Sequence, residues 1–336
     1  MKFSVVVCTY NYAHLLPDTL RTLAAQTAPD FELVVVDDGS TDNTEEVVEE
    51  FHPQFRDFRY VKKPHTGPAG ARNAGILAAQ GTHIAFVDAD DLWSPHYLRA
   101  IQDAFQNHPQ ADMVLCEGII VQTEDGIATE ATLHRWLPPL SGPVRSPGEL
   151  FGVVRAFSPS GMVFSKSLYN RTGPFDVESF GWFSEDIDWM FRALTAGASC
   201  FCLKQRLYLY RRHGENVTNK GSDSFRSWLT IYSRTLRESR ADARIESLAR
   251  GIIRSHSIRF LTTCSTSEGR QLLKRAIETL DGDPLIMFYY IGTHVGLTSL
   301  LKLLKRAKQG LHRLFRKKLA IDLRTSSAEV FDTFGN

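Results

Sequence analysis

The sequence predicts an α/β protein built on a doubly wound, mostly parallel central sheet, with an α-helical extension at its C-terminal end. Three observations lead there. Over the first 110 residues, short β-branched runs alternate with segments whose apolar residues recur at helical spacing, the pattern of βα units feeding a parallel sheet. The runs are apolar at nearly every position, as expected of strands covered on both faces. From about residue 222 strand-like runs stop and the charge balance inverts: residues 1–220 carry 19 Lys and Arg against 27 Asp and Glu, residues 221–336 carry 20 against 11. With 336 residues and 43% hydrophobic content there is material for one main domain, 1–221, in two halves divided at 110/111, plus an extension, 222–336.

The elements follow in order. "FSVVVCTYN" reads as a buried strand ending in polar residues, and Leu16, Leu20 and Leu23 mark the helix after it. "FELVVVDDGSTDN" is a second strand closed by a turn, and "TEEVVEEF" a helix with acids in its first turn. "FRYVKK" is a third strand, "AGARNAGILAAQ" a helix and "HIAFVDADD" a fourth strand. Ser94 and Pro95 suit the N-cap and first position of the helix "PHYLRAIQDAFQNH". Beyond residue 111 the pattern turns antiparallel, with a strand pair or bent strand in "ADMVLCEGIIVQTEDG", a Pro-rich loop in "RWLPPLSGPVRSPGEL", and a strand and turn in "GMVFSKSLYNRTG". "SEDIDWMFRALTAG" is a helix stopped at Gly197, and "CFCLKQRLYLYRRH" a last strand.

Composition narrows the function classes. The five cysteines are odd in number and lack metal-ligand spacing, so we read them as reduced thiols, which favours the cytosol. The apolar run at the N-terminus is too short for a signal-peptide core, so no export is expected. An acidic N-terminal portion disfavours broad contact with nucleic acid. The first turn, "CTYNYAHL", lacks the Gly-x-Gly-x-x-Gly of a dinucleotide site.

In a doubly wound sheet, ligands bind beyond the carboxyl ends of the strands. Those ends carry Thr9, Tyr10 and Asn11, then Asp37 and Asp38, then Asp88, Ala89, Asp90 and Asp91. If the last run is extended, Asp88 and Asp90 share a face and form a hard oxygen site for Mn²⁺ or Mg²⁺; otherwise it is a solvated turn. Asp37 and Asp38 suit a base imino group or ribose hydroxyls, or else an ordinary Gly-Ser-Thr turn. Arg72, near a helix start, is either a phosphate partner or a surface arginine. In "FGWFSEDIDWMF" aromatic residues surround Glu185 and Asp186. Partial desolvation there suits a general base, with Trp182 and Phe183 available to stack on an acceptor, although acids also favour a helix's first turn for electrostatic reasons.

Taken in order, "SVVVCTYN", "LLPDTLRTLAAQT", "ELVVVDDGSTDNT", "GPAGARNAGI", "FVDADDLWSP" and "SEDIDW" resemble the glycosyltransferase family 2 enzymes of GT-A fold, across roughly residues 1–220. The resemblance implies an inverting transferase that moves a sugar from a nucleoside-diphosphate sugar, most often a UDP-sugar, to a hydroxyl of a carbohydrate, lipid-linked or other acceptor in cell-surface polysaccharide or glycoconjugate synthesis. Residues 1–110 would then bind the nucleotide-sugar and 111–221 the acceptor. It implies that Thr9, Tyr10 and Asp38 hold the base, with Asn11 and Asp37 beside the nucleoside, and that Arg72, Asn73, Asp88 and Ala89 line the phosphates. Asp90, with Asp88 and His213, would bind Mn²⁺ or Mg²⁺, and Asp186, with Glu185 beside it, would be the base. A haloacid-dehalogenase-like phosphatase also uses Asp-x-Asp, but at its first strand rather than its fourth. The alternative from another class is an inactive nucleotide-sugar-binding or membrane adaptor with the same fold.

The C-terminal region adds a separate expectation. "SLLKLLKRAKQGLHRLFRKKL" places Leu300, Leu304, Leu311, Leu314 and Phe315 on one helical stripe, with eight Lys or Arg and no acid over 302–318. Residues 284–320 can therefore lie on an anionic membrane surface, at the inner face of the cell membrane, or pack on the catalytic domain and expose a basic face. Whether the chain forms a homodimer is left open.

Overall fold

The computed structural model describes residues 1–27, 30–124, 127–132, 142–143, 158–178, 184–216, 265–295 and 318–322, with single helical positions between 227 and 261 and at 299 and 302. It divides into two compact units, one of residues 1–214 with 318–336 and one of residues 215–317.

The first unit begins with the expected alternation. Strands β1 (Phe3–Thr9), β2 (Phe31–Asp37), β3 (Phe58–Lys62) and β4 (His83–Asp88) run parallel in the order β3-β2-β1-β4. Helices α1 (Leu16–Ala24), α2 (Thr44–Phe51) and α3 (Gly67–Ala78) connect them. Leu16, Leu20 and Leu23 are fully buried, as are Val5, Val6 and Val7 and Leu33 to Val36. At Gly75 a Cβ would lie 2.3 Å from Val6 Cγ1, so only glycine lets α3 sit this close to β1. The register matters for function: Thr9 lies beside Asp37, Cys8 beside Asp88 and Asp37 beside Lys62. Four strands thus end level, and their polar termini share one edge.

The second half of this unit extends the sheet with mixed polarity. A short β5 (Leu92–Trp93) is followed by α4 (Tyr97–Asn107), β6 (Met113–Glu124), β7 (Ile127–Thr132) and β8 (Gly142–Pro143). Then come β9 (Met162–Ser165), α5 (Lys166–Thr172), α6 (Glu185–Thr195) and β10 (Cys200–Arg212). Strand β9 joins antiparallel to both β4 and β6, while β10 runs parallel to β6 and antiparallel to β5 and β8. The segment 111–126, expected to hold a strand pair or a bent strand, holds the single long strand β6, whose antiparallel partner β7 follows it in the chain. This is the expected α/β sheet.

Some expectations are corrected. Helix α4 starts at Tyr97 with His96 at its N-cap, and Ser94 caps instead the turn that leads into it, its hydroxyl accepting from His96 N at 3.3 Å and its carbonyl from Tyr97 N at 3.0 Å. The segment after β9 is helix α5 rather than a turn, capped by Ser165, whose hydroxyl accepts from Leu168 N. The C-terminal region is not wholly helical: β11 (Lys318–Asp322) pairs antiparallel with β7. Most of the basic run 302–317 and most of the Pro-rich stretch 135–150 lie outside the described residues.

In the second unit, α7 (Thr266–Thr279) opens on a complete capping box between Ser265 and Glu268. Helix α8 (Pro284–Gly292) is capped by Asp283, whose carboxylate also takes Arg254 at 2.5 Å. Leu285, Met287, Phe288 and Ile291 of α8 are exposed, as is Val295 just beyond it. Among the described residues no helix is long and apolar enough to cross a membrane.

Candidate active site

The edge where β1 and β2 end is held by a dense polar lattice. Asp37 accepts from Ser40 N at 2.7 Å and from the Tyr60 hydroxyl at 2.7 Å. Asp38 is almost fully buried and caps α3, accepting from Thr66 N at 3.0 Å and Gly67 N at 2.7 Å. Lys63, at 2.5 Å, balances its charge, and His65 Nδ1 lies 2.9 Å from the same carboxylate. Asn11, in the left-handed region at φ 55°, ties β1 to the Gly-Ser-Thr turn by accepting from Thr41 N at 2.8 Å. Tyr10 is exposed on the surface and stacks on His65 with ring centroids 3.7 Å apart. The Thr9 hydroxyl is buried and has no hydrogen-bond partner among the described residues.

The end of β4 is built differently. The chain turns at Ala89 and Asp90, with Asp91 N donating to Asp88 O at 2.9 Å. The extended alternation expected for Asp88 and Asp90 is therefore corrected: a turn, not a strand, presents the acids. Asp88 pairs with Arg72 at 3.2 Å, and Asp90 Oδ2 lies 3.0 Å from His213 Nε2. Asp91 faces inward, accepting from the Ser160 hydroxyl at 2.6 Å and from Arg211 N at 3.2 Å. The sequence gives Asp91 no role, but its full burial makes it the anchor of the loop. Ala89 is buried, and its carbonyl accepts from the Thr19 hydroxyl at 2.8 Å.

The third acidic group arrives from α6. Ser184 holds a left-handed φ of 66°, and its carbonyl accepts from Asp188 N at 3.0 Å, so Glu185 and Asp186 open the helix at a sharp entry. Glu185 is buried against the Arg72 guanidinium, and Asp186 remains partly exposed. Arg72 is also buried, which corrects the surface reading: it bridges the acid of β4 and the acid of α6. Asn73 is engaged elsewhere, exchanging hydrogen bonds of 2.9 Å with the Phe175 backbone and accepting from the Tyr169 hydroxyl. Trp182 and Phe183 lie outside the described residues.

These contacts set the electrostatics. Burial lifts the Asp88 carboxyl to about 6, against the pull of Arg72 and with the charges of Asp90 and Asp186 adding to the rise. Burial also raises Asp186, while Arg72 draws it back. The Cys8 thiol between the two acidic sites is pushed up to about 12, chiefly by burial, which makes it a poor nucleophile at neutral pH. Among the described residues no three His, Cys, Asp or Glu side chains form a protein-only metal cage. Asp90 and His213 offer one carboxylate and one imidazole, with Asp88 nearby. That partial donor set suits a hard divalent cation whose remaining positions go to phosphate oxygens and water.

Lys63, His65, Ser160 and Arg211 were missed by sequence reasoning. The one available signal lay at positions 211 to 213, where a charged pair runs into a histidine at the end of a strand-like segment.

A mixed sheet of this order, with acidic turns on the ends of β2 and β4 and a helix-borne acid beside the second, is that of a GT-A glycosyltransferase fold. The comparisons agree. The model of glycosyl transferase family 2 matches residues 4–173, and the chain belongs to that family. A Nostoc protein named as an uncharacterized glycosyltransferase is 33% identical over 227 residues, covering 64% of this chain and 66% of its own length. The chain thus spans about two thirds of that relative. Staphylococcus aureus TarS (residues 1–349), solved in complex with UDP-GlcNAc, superposes with a TM-score of 0.68 at 20% identity, covering 92% of each chain. The mannosyltransferase PcManGT of Pyrobaculum calidifontis, in complex with GDP-Man and Mn²⁺, gives a TM-score of 0.55 at 19% identity, covering 90% of this chain and 83% of its own.

Proposed function

We propose that this chain transfers a sugar from a UDP-sugar to a hydroxyl acceptor with inversion at the anomeric carbon, in the synthesis of a cell-surface polysaccharide or glycoconjugate. The observation that carries the reading is Asp186. It is a partly exposed carboxylate at the mouth of the acidic edge, raised by burial and steadied by Arg72, which itself grips Asp88.

The protein's own groups divide the work. Thr9, whose buried hydroxyl has no partner among the described residues, and Tyr10 receive the base against the wall that Asp38 builds by holding Lys63 and the start of α3, and Asn11 and Asp37 hold the nucleoside-side turn. Asp88 and Ala89 border the diphosphate. Arg72 positions Asp88 and Glu185, and Asn73 fixes α3 to the segment around Phe175. Asp90 and His213, with Asp88, would hold Mn²⁺ or Mg²⁺, a choice supported by the PcManGT complex. When bound, such a cation supplies charge stabilisation for the departing nucleoside diphosphate. Asp186 accepts the acceptor's hydroxyl proton as that oxygen bonds to the anomeric carbon. The bond from that carbon to the diphosphate oxygen breaks, its electron pair leaves with the nucleotide, and the new linkage forms on the opposite face. Because Asp186 must be ionised to act and its carboxyl is raised, turnover falls on the acid side at a higher pH than an ordinary carboxylate would give. Trp182 and Phe183 complete the acceptor side in this reading.

A panel of nucleotide-sugars incubated with Mn²⁺, Mg²⁺ or chelator tests the proposal by nucleotide release. Release of UDP from at least one UDP-sugar is expected. Release from no donor would leave the inactive adaptor in its place.

The acceptor reaches the protein at a membrane in this proposal. The exposed apolar residues of α8 and the basic run 302–318 would lie on an anionic surface. Binding to anionic liposomes that fades with salt and is lost on deleting residues 284–336 is the expected result, and binding that survives the deletion refutes it.

A further inference from the structure

The guanidinium of Arg211 is wholly buried, an unusual place for a charge. Its contacts run in three directions. Toward α1, it pairs with Asp18 Oδ2 at 2.8 Å and donates to Leu15 O at 3.0 Å. Toward the acidic loop, its Nε donates to the carbonyl of Asp90. Along its own strand, its backbone N donates to Asp91 Oδ1 at 3.2 Å. Thr19 backs the same arrangement from α1, donating to Ala89 O at 2.8 Å and to Asp91 O at 2.9 Å. Two residues beyond Arg211 stands His213, whose Nε2 meets Asp90 Oδ2 at 3.0 Å and whose ring is packed edge-on against Tyr12. One side chain therefore fixes the peptide of Asp90 and, through the strand end, the imidazole that faces its carboxylate.

We infer that Arg211 is a positioning residue for the cation end of the site: it locks the Asp90 backbone and the end of β10 to the start of α1, so that Asp90 and His213 are held at ligand spacing before any cation or nucleotide arrives. The inference rests on the reading of Asp90 and His213 as metal ligands. The planar fork is the point. A single guanidinium satisfies a carboxylate and two carbonyls on separate elements, whereas a lysine ammonium carries the same charge on a thinner, more mobile stem. Burial explains the absence of a competing solvent role. Groups that orient ligands rather than bind the metal are worth about 10- to 100-fold in metal affinity.

The test is Mn²⁺ binding in the presence of UDP, followed by the electron paramagnetic resonance signal of free Mn²⁺, on wild type and Arg211→Lys, with thermal unfolding in parallel. Arg211→Lys is expected to fold, to raise half-saturating Mn²⁺ by about tenfold or more, and to recover donor turnover when Mn²⁺ is added in excess. A general packing defect would not be rescued by metal. A folded Arg211→Lys with wild-type Mn²⁺ affinity overturns the inference. Should that variant fail to fold, Asp18→Asn takes its place: it removes the ion pair while nearly preserving shape, and the expected result is a smaller rise of about threefold or more, with unchanged Mn²⁺ affinity again overturning the inference. Wild type that binds no Mn²⁺ with UDP defeats the metal reading itself, and the inference with it, before any variant is compared.

Discussion

Strands β2 and β4 end in similar sequence, "VVVDDGS" and "AFVDADDLW", yet their carboxylates have opposite fates. Asp37 and Asp38 are met by donors the fold supplies: a helix start, a tyrosine, a lysine and a histidine. Their charge is spent on structure. At β4 the inward-facing Asp91 is spent in the same way, while Asp88 meets Arg72, which also meets Glu185, and Asp90 meets His213. Burial, with the charges of Asp90 and Asp186 adding to it, lifts Asp88 to about 6. Two similar turns thus differ along one edge, and in the function proposed above the second is the one that a cation and a diphosphate complete.

Each substitution that follows breaks that contrast in a different place. The largest effect is expected at the helix-borne acid, where Asp186→Asn should cut sugar transfer by about 10²–10⁴ with UDP affinity retained; near-normal turnover would remove the base assignment. Next in size is the cap. Asp38→Ala should lower stability by about 1–2 kcal/mol, read as a fall in melting temperature, and by more than Asp90→Ala does in the metal-free protein. Equal losses would erase the distinction between the two turns. A third effect concerns pH. A carboxyl whose folded value is raised, from 3.8 to about 6 at Asp88, favours the fold while protonated, and that contribution is lost as pH climbs through this window. Metal-free wild type should therefore lose stability over that range relative to Asp88→Asn, and parallel melting curves of the two would contradict the shift. The smallest effect is at the surface, where Tyr10→Ala should weaken UDP binding by about 0.5–1.5 kcal/mol without a measurable change in unfolding.

The four parallel strands and their helices are legible because each is a local pattern: β-branched runs and Leu16, Leu20 and Leu23 announce themselves within a few residues. The acidic edge is legible for the same reason, since strand ends and turn residues fix where Asp37, Asp38, Asp88 and Asp90 must lie. Distance in sequence hides the rest. Nothing near Arg72 says that it will be buried between Asp88 and Glu185, and nothing near Arg211 says that it will pair with Asp18, 193 positions away. Lys63 and His65 look like solvated loop residues until α3 is seen to start on Asp38. In each case a tertiary partner overrides a local preference.

In the proposed reading the β4 turn grips a cation and the diphosphate together, and calorimetric titration of UDP into wild type and Asp90→Ala, each with Mn²⁺ and with chelator, decides whether it does. Wild type should bind UDP much more tightly with Mn²⁺ than with chelator, and Asp90→Ala should lose that difference while keeping the weak metal-independent affinity of the intact β1 and β2 edge. Equal UDP affinity in wild type with and without Mn²⁺, or a Mn²⁺ enhancement that survives in Asp90→Ala, would contradict it.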